Sequence, residues 1–245
     1  MTVDAVIDTE GTTALPPVVD RATWQEARDA LLVREKEHTR AGDEIAAARR
    51  RLPMVEVDAA TPLTGADGPT TLLAAFEGRA RLVAYAQMWH EGRPAAEQCP
   101  GCTYYNSQVR ELAYLHARGV TYATFAQGPY EESEAYRAFM GWDVPWYAVG
   151  RPNEALGLDG GFRLLCYLRV GDRVYETYRT TGRGVEIMSP TYGLIDMTVY
   201  GRGEPWEDSP AGWPQPVVVD GTDLHLDGRP AAQWPRMAAG HTPAP

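Results

Sequence analysis

Long apolar runs, basic residues and cysteines are all scarce in this chain. No stretch of about 18 uncharged apolar residues occurs, so we expect no membrane-spanning helix. The N-terminus lacks the basic start and apolar stretch of a secretory signal, which predicts a cytoplasmic protein. Lys36 is the single lysine, and the net charge of -10 leaves no basic surface to neutralise phosphates. The expected partner is therefore a small molecule or a protein, with no nucleic acid and no membrane.

The three cysteines are too few for a disulfide scaffold in a chain of 245 residues. Cys99 and Cys102 stand at C-x-x-C spacing in "AEQCPGCTYYNSQ", which in a reducing compartment indicates either catalysis or metal binding. Cys166 lies in the apolar run "FRLLCYLRV", and we expect it to be a buried core thiol.

Composition along the chain predicts four segments. Residues 1–20 read as a disordered tail, 21–53 as an N-terminal helical extension, 54–203 as the main domain and 204–245 as an extended, Pro-rich end. In the extension, Thr23 with Glu26 three residues later predicts a helix cap, and Gly42 could divide the helix in two. The long helix could pair two subunits of a homodimer, although packing on the protein surface would explain it equally well.

The main domain shows the order strand, C-x-x-C, helix, strand. A buried strand is predicted over residues 80–88, and a helix is predicted to start at about Pro100 and end at Gly119. "VTYATFAQ" predicts the second strand, and a helix closed by Gly141 follows. Two alternating stretches around a Gly-Asp turn predict a hairpin, and "SPTYGLIDMTVYG" could supply a last helix. The fold class is therefore α/β.

The C-x-x-C spacing predicts different roles for the two thiols. If the helix begins at about Pro100, Cys99 is its N-cap, where unpaired N–H groups and the helix dipole stabilise a thiolate. Cys99 is then the catalytic nucleophile. Cys102, one turn further on and more buried, is the resolving thiol that attacks a mixed disulfide at Cys99. This primary hypothesis needs no cofactor.

A metal site is the alternative. A closed zinc site is disfavoured, because no second C-x-x-C or His pair supplies the remaining ligands. His90 precedes Cys99 by nine residues, and the loop could bring it beside both sulfurs as a His-Cys-Cys set suited to copper. His90 could equally be an exposed loop residue, or a neighbour that holds Cys99 as a thiolate. A binding module without catalysis is a third possibility.

Three further residues are candidates for substrate binding. Arg183 lies between glycines in "TTGRGVE", where it could bind an anion or pair with a surface carboxylate. Tyr104 and Trp146 could line a pocket near the dithiol, although aromatic residues are more often part of the core.

The segments "EKEHTRAGDEIAAARRRLP", "CPGC", "YRAFMGWDVPWY", "VYETYRTTGRGVE" and "YGRGEPWEDSPAGWPQ" resemble a bacterial family of unknown function, described as dithiol-disulfide oxidoreductases. The resemblance runs from about residue 23 to 215. It implies a thioredoxin-like, peroxiredoxin-related sheet of four strands flanked by helices, with the dithiol at the first of those helices. It carries over Cys99 and Cys102, and members of one branch share the Met-Trp-His segment that matches residues 88–90 here.

Two departures from related proteins narrow the expected chemistry. Thioredoxins have a cis-proline opposite the dithiol, and "LGLDGGFRLLCYL" has no proline, which disfavours general exchange with protein disulfides. A peroxiredoxin motif would need proline and threonine where Gly92 and Ala96 stand. The sequence thus predicts a thiol–disulfide oxidoreductase that acts on a small-molecule or protein thiol or disulfide and is recycled by a cellular reductant.

Overall fold

The computed structural model describes residues 13–150, 153–215 and 224–238. An eight-stranded mixed sheet forms its centre, and a two-stranded hairpin lies near the C-terminus. The strands are β1 (Val55–Val57), β2 (Pro62–Gly65), β3 (Gly68–Thr71), β4 (Arg81–Gln87), β5 (Val120–Ala126), β6 (Trp146–Ala148), β7 (Arg163–Val170), β8 (Arg173–Thr180), β9 (His225–Leu226) and β10 (Arg229–Pro230). The α-helices are α1 (Arg21–Arg49), α2 (Pro100–Gln108), α3 (Ala113–His116), α4 (Tyr130–Met140), α5 (Pro190–Asp196) and α6 (Trp234–Ala238).

The strand order in the large sheet is β1-β8-β7-β4-β5-β6-β2-β3. Strands β4, β5 and β6 run parallel, while β7 and β8 are antiparallel to their neighbours. The chain passes from β4 through the cysteines and α2 to β5, and later forms the β7–β8 hairpin before α5. This confirms the predicted thioredoxin-like α/β fold. The sheet is larger than the four strands expected, because β1 extends one edge and β6, β2 and β3 extend the other.

The alternation of side chains along β4 separates two hydrophobic clusters. Leu82, Ala84 and Ala86 face one cluster, which includes Leu72, Phe76 and Leu165. Tyr85 faces the other cluster, together with aromatic and sulfur side chains from α2 and α4. The second cluster contains Cys102, so the dithiol helix is packed against the sheet through one of its two cysteines.

The N-terminal extension is one continuous helix, and its cap differs from the prediction. Asp20 is the N-cap of α1, and its carboxylate accepts a 2.8 Å hydrogen bond from the N–H of Thr23. Thr23 is therefore inside the helix, because the carboxylate three residues earlier satisfies its N–H. The helix continues through Gly42 without a break, and none of its side chains is buried.

The helix after the cysteines is shorter than predicted. It ends at Gln108, because Val109 adopts an extended conformation, and α3 is a separate turn before Gly119. Gly119 and Gly141 have positive φ, as expected for residues that close helices. The predicted β7–β8 hairpin, the helix closed by Gly141 and the last helix of the main domain are all confirmed.

The C-terminal region also differs from the extended chain that the prolines predict. Residues 225–230 form the β9–β10 hairpin, and a 3-10 turn (Ala231–Gln233) leads into α6. This region is ordered by packing on α2 and on the turn before the cysteines. Parts of the predicted tail (residues 1–12) and of the C-terminal end (216–223 and 239–245) lie outside the described residues. No described helix has the length and apolar character that crossing a bilayer requires.

Candidate active site

Cys99 is the N-cap residue of α2, as the sequence predicts. Pro100 follows at the first helical position, where the missing N–H removes no intrahelical hydrogen bond. The N–H of Cys102 donates a hydrogen bond of 3.3 Å to Cys99 Sγ. The sulfur therefore lies at the positive end of the helix, where a thiolate is stabilised.

The surroundings of Cys99 lower the pKa of its thiol from the ordinary 9.0 to about 7. The hydrogen bond from the Cys102 side chain contributes most, and the backbone N–H of Cys102, the electrostatic influence of His90 and the backbone N–H of Gly101 act in the same direction. Partial burial opposes these effects without cancelling them. A large fraction of Cys99 is therefore thiolate at neutral pH, which is what a nucleophile requires.

Cys102 lies in the opposite environment. Its side chain is 1% exposed, and burial together with the nearby Cys99 sulfur raises the pKa of Cys102 well above 9. Hydrogen bonding from the Tyr85 hydroxyl on β4 and from the N–H of Met88 lowers the pKa of Cys102, but burial has the larger effect. The pair thus combines a partly exposed thiol with a lowered pKa and a buried thiol with a raised pKa.

Gln98 fixes the loop that leads from β4 to the cysteines, and sequence reasoning missed it. Its side chain is buried, accepts a 3.0 Å hydrogen bond from the N–H of His90, and donates to the carbonyls of His90 and Arg93 at 2.8 and 3.0 Å. His90 Nδ1 lies 2.8 Å from the carbonyl oxygen of Glu97. These contacts fold the loop back so that His90 acts electrostatically on Cys99.

The geometry does not supply a ready-made metal site. In the part of the chain that the structure describes, no three His, Cys, Asp or Glu side chains are grouped to hold a metal ion. His90, Cys99 and Cys102 therefore do not form a preassembled ligand set. Of the roles that the sequence left open for His90, two agree with the structure: it is an exposed loop residue, and it acts electrostatically on Cys99.

Arg183 is held by neighbours in its own region. Its guanidinium lies 4.3 Å above the ring of Trp206, and Nε donates a 2.9 Å hydrogen bond to the carboxylate of Glu186. This is the carboxylate pairing that the sequence allowed as an alternative to anion binding.

The two aromatic candidates lie in different surroundings. The Tyr104 hydroxyl is hydrogen-bonded to Ser189, and its ring stacks on Tyr192 at 4.9 Å. Trp146 is 5% exposed and donates from Nε1 to Ser133 at 3.1 Å, so it is a core residue of β6. Cys166 is partly rather than fully buried on β7, and burial raises its pKa to about 11, which keeps it protonated.

Two open cavities lie beside the cysteine loop. The larger, of about 670 Å³, is found where β4, β5 and β6 end, and Trp89, His90, Gln127 and Tyr130 are among its lining residues. The smaller, of about 390 Å³, shares Trp89 and also contacts Gln98. Gln98 gave no recognisable signal in the sequence, and Trp89 entered only through the Met-Trp-His segment of the family resemblance. The roles of both depend on chain segments that fold against them.

The solved structures similar to this chain include redox proteins. A thioredoxin from Wuchereria bancrofti is 17% identical over 57% of this chain and 95% of its own, with a TM-score of 0.36. A mutant of peroxiredoxin Q from Xanthomonas campestris is 14% identical over 57% and 97%, with a TM-score of 0.36. The bacterioferritin comigratory protein of Xanthomonas campestris is 18% identical over 55% of this chain and 92% of its own, with a TM-score of 0.35. These likenesses concern the fold alone.

No curated protein matches the sequence significantly. A family model described as a bacterial protein of unknown function (DUF899) matches residues 13–218. Since that match covers most of the chain, the protein belongs to this family.

Proposed function

We propose that the protein is a thiol–disulfide oxidoreductase in which Cys99 is the nucleophile and Cys102 the resolving thiol. The observation that carries this proposal is the 3.3 Å hydrogen bond from the Cys102 N–H to Cys99 Sγ at the start of α2. This hydrogen bond and the Cys102 side chain together lower the pKa of Cys99, while burial raises the pKa of Cys102.

The proposed reaction has two exchange steps. The Cys99 thiolate attacks one sulfur of a substrate disulfide, a mixed disulfide forms, and the other substrate sulfur leaves as a thiolate that takes a proton from water. Cys102 then loses its proton to solvent, and its thiolate attacks the Cys99 sulfur. The mixed disulfide breaks, and the second substrate sulfur leaves as a thiolate that takes up a proton from solvent, which balances the proton that Cys102 released. The substrate gains two electrons and two protons, and the protein ends with a Cys99–Cys102 disulfide.

Burial of Cys102 sets the order of the two steps. A protonated, buried thiol does not compete with Cys99 for the substrate, so the order of attack is fixed. Once Cys99 carries the substrate, Cys102 is the adjacent sulfur in the same helical turn. A cellular dithiol or thiol reductant, in the cytoplasm that the sequence predicts, would return the disulfide to the reduced state.

Single cysteine variants test the proposal. Reduced protein is mixed with bis(2-hydroxyethyl) disulfide, and the products are identified by intact and peptide mass spectrometry. The wild type is expected to form the Cys99–Cys102 disulfide, Cys99→Ser to remain unmodified, and Cys102→Ser to retain a mixed disulfide at Cys99. Cys166→Ser is the matched control and should react like the wild type. Reaction of both active-site variants at the wild-type rate would refute the mechanism.

A further inference from the structure

The C-terminal residues 224–238 lie against the cysteine loop, and we call them the C-terminal cap. They comprise the β9–β10 hairpin, the turn Ala231–Gln233 and helix α6. The hairpin and the turn pack on α2, and the hairpin also packs on the turn Ala95–Glu97 that precedes Cys99. The family match ends at residue 218, so the cap lies beyond the part of the chain that matches the family.

Gln233 connects this cap to the dithiol. Its side chain is completely buried, and Nε2 donates hydrogen bonds to the carbonyl of Ala95 at 2.8 Å and to the hydroxyl of Tyr136 at 2.7 Å. The Tyr136 hydroxyl lies 2.8 Å from Thr103 Oγ1, which in turn donates to the carbonyl of Cys99 at 2.9 Å.

The hydrogen bonds that link Gln233, Tyr136, Thr103 and the Cys99 carbonyl allow only one assignment of donors. Thr103 uses its hydrogen on the Cys99 carbonyl, so Tyr136 must donate to Thr103, and Gln233 must donate to Tyr136. Burial raises the pKa of Tyr136 to about 12, so its hydroxyl keeps the hydrogen that this order requires. Gln233 is therefore the first donor in a series of hydrogen bonds that ends at the backbone carbonyl of Cys99.

Two other observations locate the cap beside the start of α2 and the end of α4. A Cβ added at Gly101, between the two cysteines, would lie 3.9 Å from Leu224 Cδ1. The guanidinium of Arg236 donates from Nε to the carbonyl of Phe139 at the end of α4, at 3.0 Å. The cap therefore packs on the turn before Cys99 and on α2 after it, and it lies next to Gly101 between the two cysteines.

We propose that the C-terminal cap restricts the dithiol to small thiols and disulfides, and that Gln233 is a positioning residue for Cys99. The substrate restriction rests on the proposed function, whereas the shielding of Cys99 does not. A disulfide within a folded protein carries polypeptide on both sides of its sulfurs, and the cap excludes that polypeptide. A small disulfide reaches the partly exposed Cys99 without displacing the cap.

Alkylation of Cys99 by two maleimides tests the cap without requiring any redox turnover. N-ethylmaleimide and a polyethylene-glycol-linked maleimide share one reaction and differ in size, so the ratio of their rates reports steric access. Rates are measured on full-length reduced protein, and modified Cys99 is identified by peptide mass spectrometry. In Gln233→Ala the relative rate of the large reagent should rise about ten-fold or more, because the loss of two buried hydrogen bonds favours opening of the cap.

Three variants separate shielding from positioning. Gln233→Ala and Gln233→Glu both remove the first donor of the hydrogen bonds that hold the Cys99 backbone. The N–H groups of Gly101 and Cys102 should then be less well aligned on the sulfur, so the midpoint pH of Cys99 alkylation should rise above that of the wild type. Leu224→Ala keeps the hydrogen-bond chain, so it should admit the large reagent more readily and leave the pH profile unchanged. Asp227→Asn, at an exposed turn of the same cap, should match the wild type in both measurements.

The outcomes are distinct from those of the cysteine variants. A rate ratio within about two-fold of the wild type in both Gln233→Ala and Leu224→Ala would refute the shielding. An unchanged pH profile in both Gln233 variants would refute the positioning role. The wild type could be alkylated as expected and yet form no Cys99–Cys102 disulfide. That result would refute the proposed function but not the shielding of Cys99 by the cap.

Discussion

Thr124 on β5 donates a 2.7 Å hydrogen bond to Oδ1 of Asn106 on α2, and both side chains are completely buried. The amide nitrogen of Asn106 donates in turn to the side-chain oxygen of Gln87, at the end of β4. Polar groups from both central strands therefore hold the dithiol helix in one position on the sheet. In a buried site every member of such a network must stay satisfied.

Asn106→Ala should destabilise the protein strongly. The change removes one acceptor and one donor and leaves Thr124 and Gln87 without their partners, at a cost of about 2 to 4 kcal/mol. Chemical denaturation measures the free energy of unfolding. Ser107→Ala is the control on the same helix, because Ser107 donates only to the carbonyl of Thr103 in its own turn. Equal stability losses in the two variants would show that the network does not anchor α2.

Cys102→Ala should raise the pKa of Cys99. The Cys102 side chain is the largest cause of the low pKa, so the midpoint of the alkylation profile should move upward from about 7 towards 9.0. The rate of iodoacetamide modification as a function of pH measures this midpoint. Cys166→Ala should leave the midpoint unchanged, because Cys166 is not among the groups that set it. A midpoint that stays near 7 in Cys102→Ala would assign the effect to the backbone N–H groups instead.

His90→Ala should also raise the pKa of Cys99, but by less than Cys102→Ala does. His90 favours the thiolate electrostatically, and its contribution ranks below those of Cys102. His38→Ala, on the exposed helix α1, is the matched histidine control. An increase larger than that of Cys102→Ala would make His90 the main electrostatic partner.

The same His90 variant tests the copper alternative. Elemental analysis of protein purified without chelators measures bound metal. Since His90, Cys99 and Cys102 are not preassembled as ligands, we expect equal metal content in the wild type and in His90→Ala. Stoichiometric copper in the wild type that disappears in His90→Ala would favour a metal-dependent oxidase over the dithiol mechanism.

The reduced protein should become more stable as the pH rises from about 7 to about 9, relative to Cys99→Ser. The folded state lowers the pKa of Cys99 from 9.0 to about 7, so in this window the unfolded state binds more protons. The gain should approach about 2 kcal/mol above pH 9 and vanish as the pH falls through 7. Urea denaturation under reducing conditions at several pH values measures it. A difference between wild type and Cys99→Ser that is independent of pH would contradict the lowered pKa.

Gly128→Ala should destabilise the protein and disturb the loop at His90. A Cβ at Gly128 would lie 2.1 Å from Trp89 Cδ1, so the indole would have to move away from Tyr136, with which it makes an edge contact at 5.8 Å. Overpacking of this kind costs about 1 to 3 kcal/mol. Thermal denaturation compares it with Gly42→Ala, where the added methyl meets no atom within 4 Å and should stabilise α1 by about 0.5 to 1 kcal/mol. If Gly128→Ala and Gly42→Ala were both as stable as the wild type, the packing constraint at Gly128 would be refuted.

Much of the fold could be predicted because its signals are local. The C-x-x-C spacing and Pro100 predict Cys99 at a helix start, and alternating side chains around Gly171 predict the β7–β8 hairpin. The helix cap at Asp20 and the early end of α2 at Gln108 were missed. In both places a competing hydrogen bond or backbone conformation one to three residues away decided the boundary.

The contacts that define the site could not be predicted in this way. Gln98 and Gln233 look like ordinary polar residues in the sequence, yet both side chains are buried and form hydrogen bonds. Gln233 meets Tyr136 from 97 residues away in the chain and Ala95 from 138. Whether a glutamine is a surface residue or a buried donor depends on which distant carbonyl the fold brings to it.

By itself the sequence determined the reactive element, because a thiol at a helix N-cap followed by proline creates its own electrostatic environment from adjacent backbone. Only the tertiary structure decided how the loop places Gln98 and His90 and which C-terminal segment packs beside the dithiol. Those properties arise from burial and from hydrogen bonds between segments far apart in the chain, and no local pattern of residues specifies them.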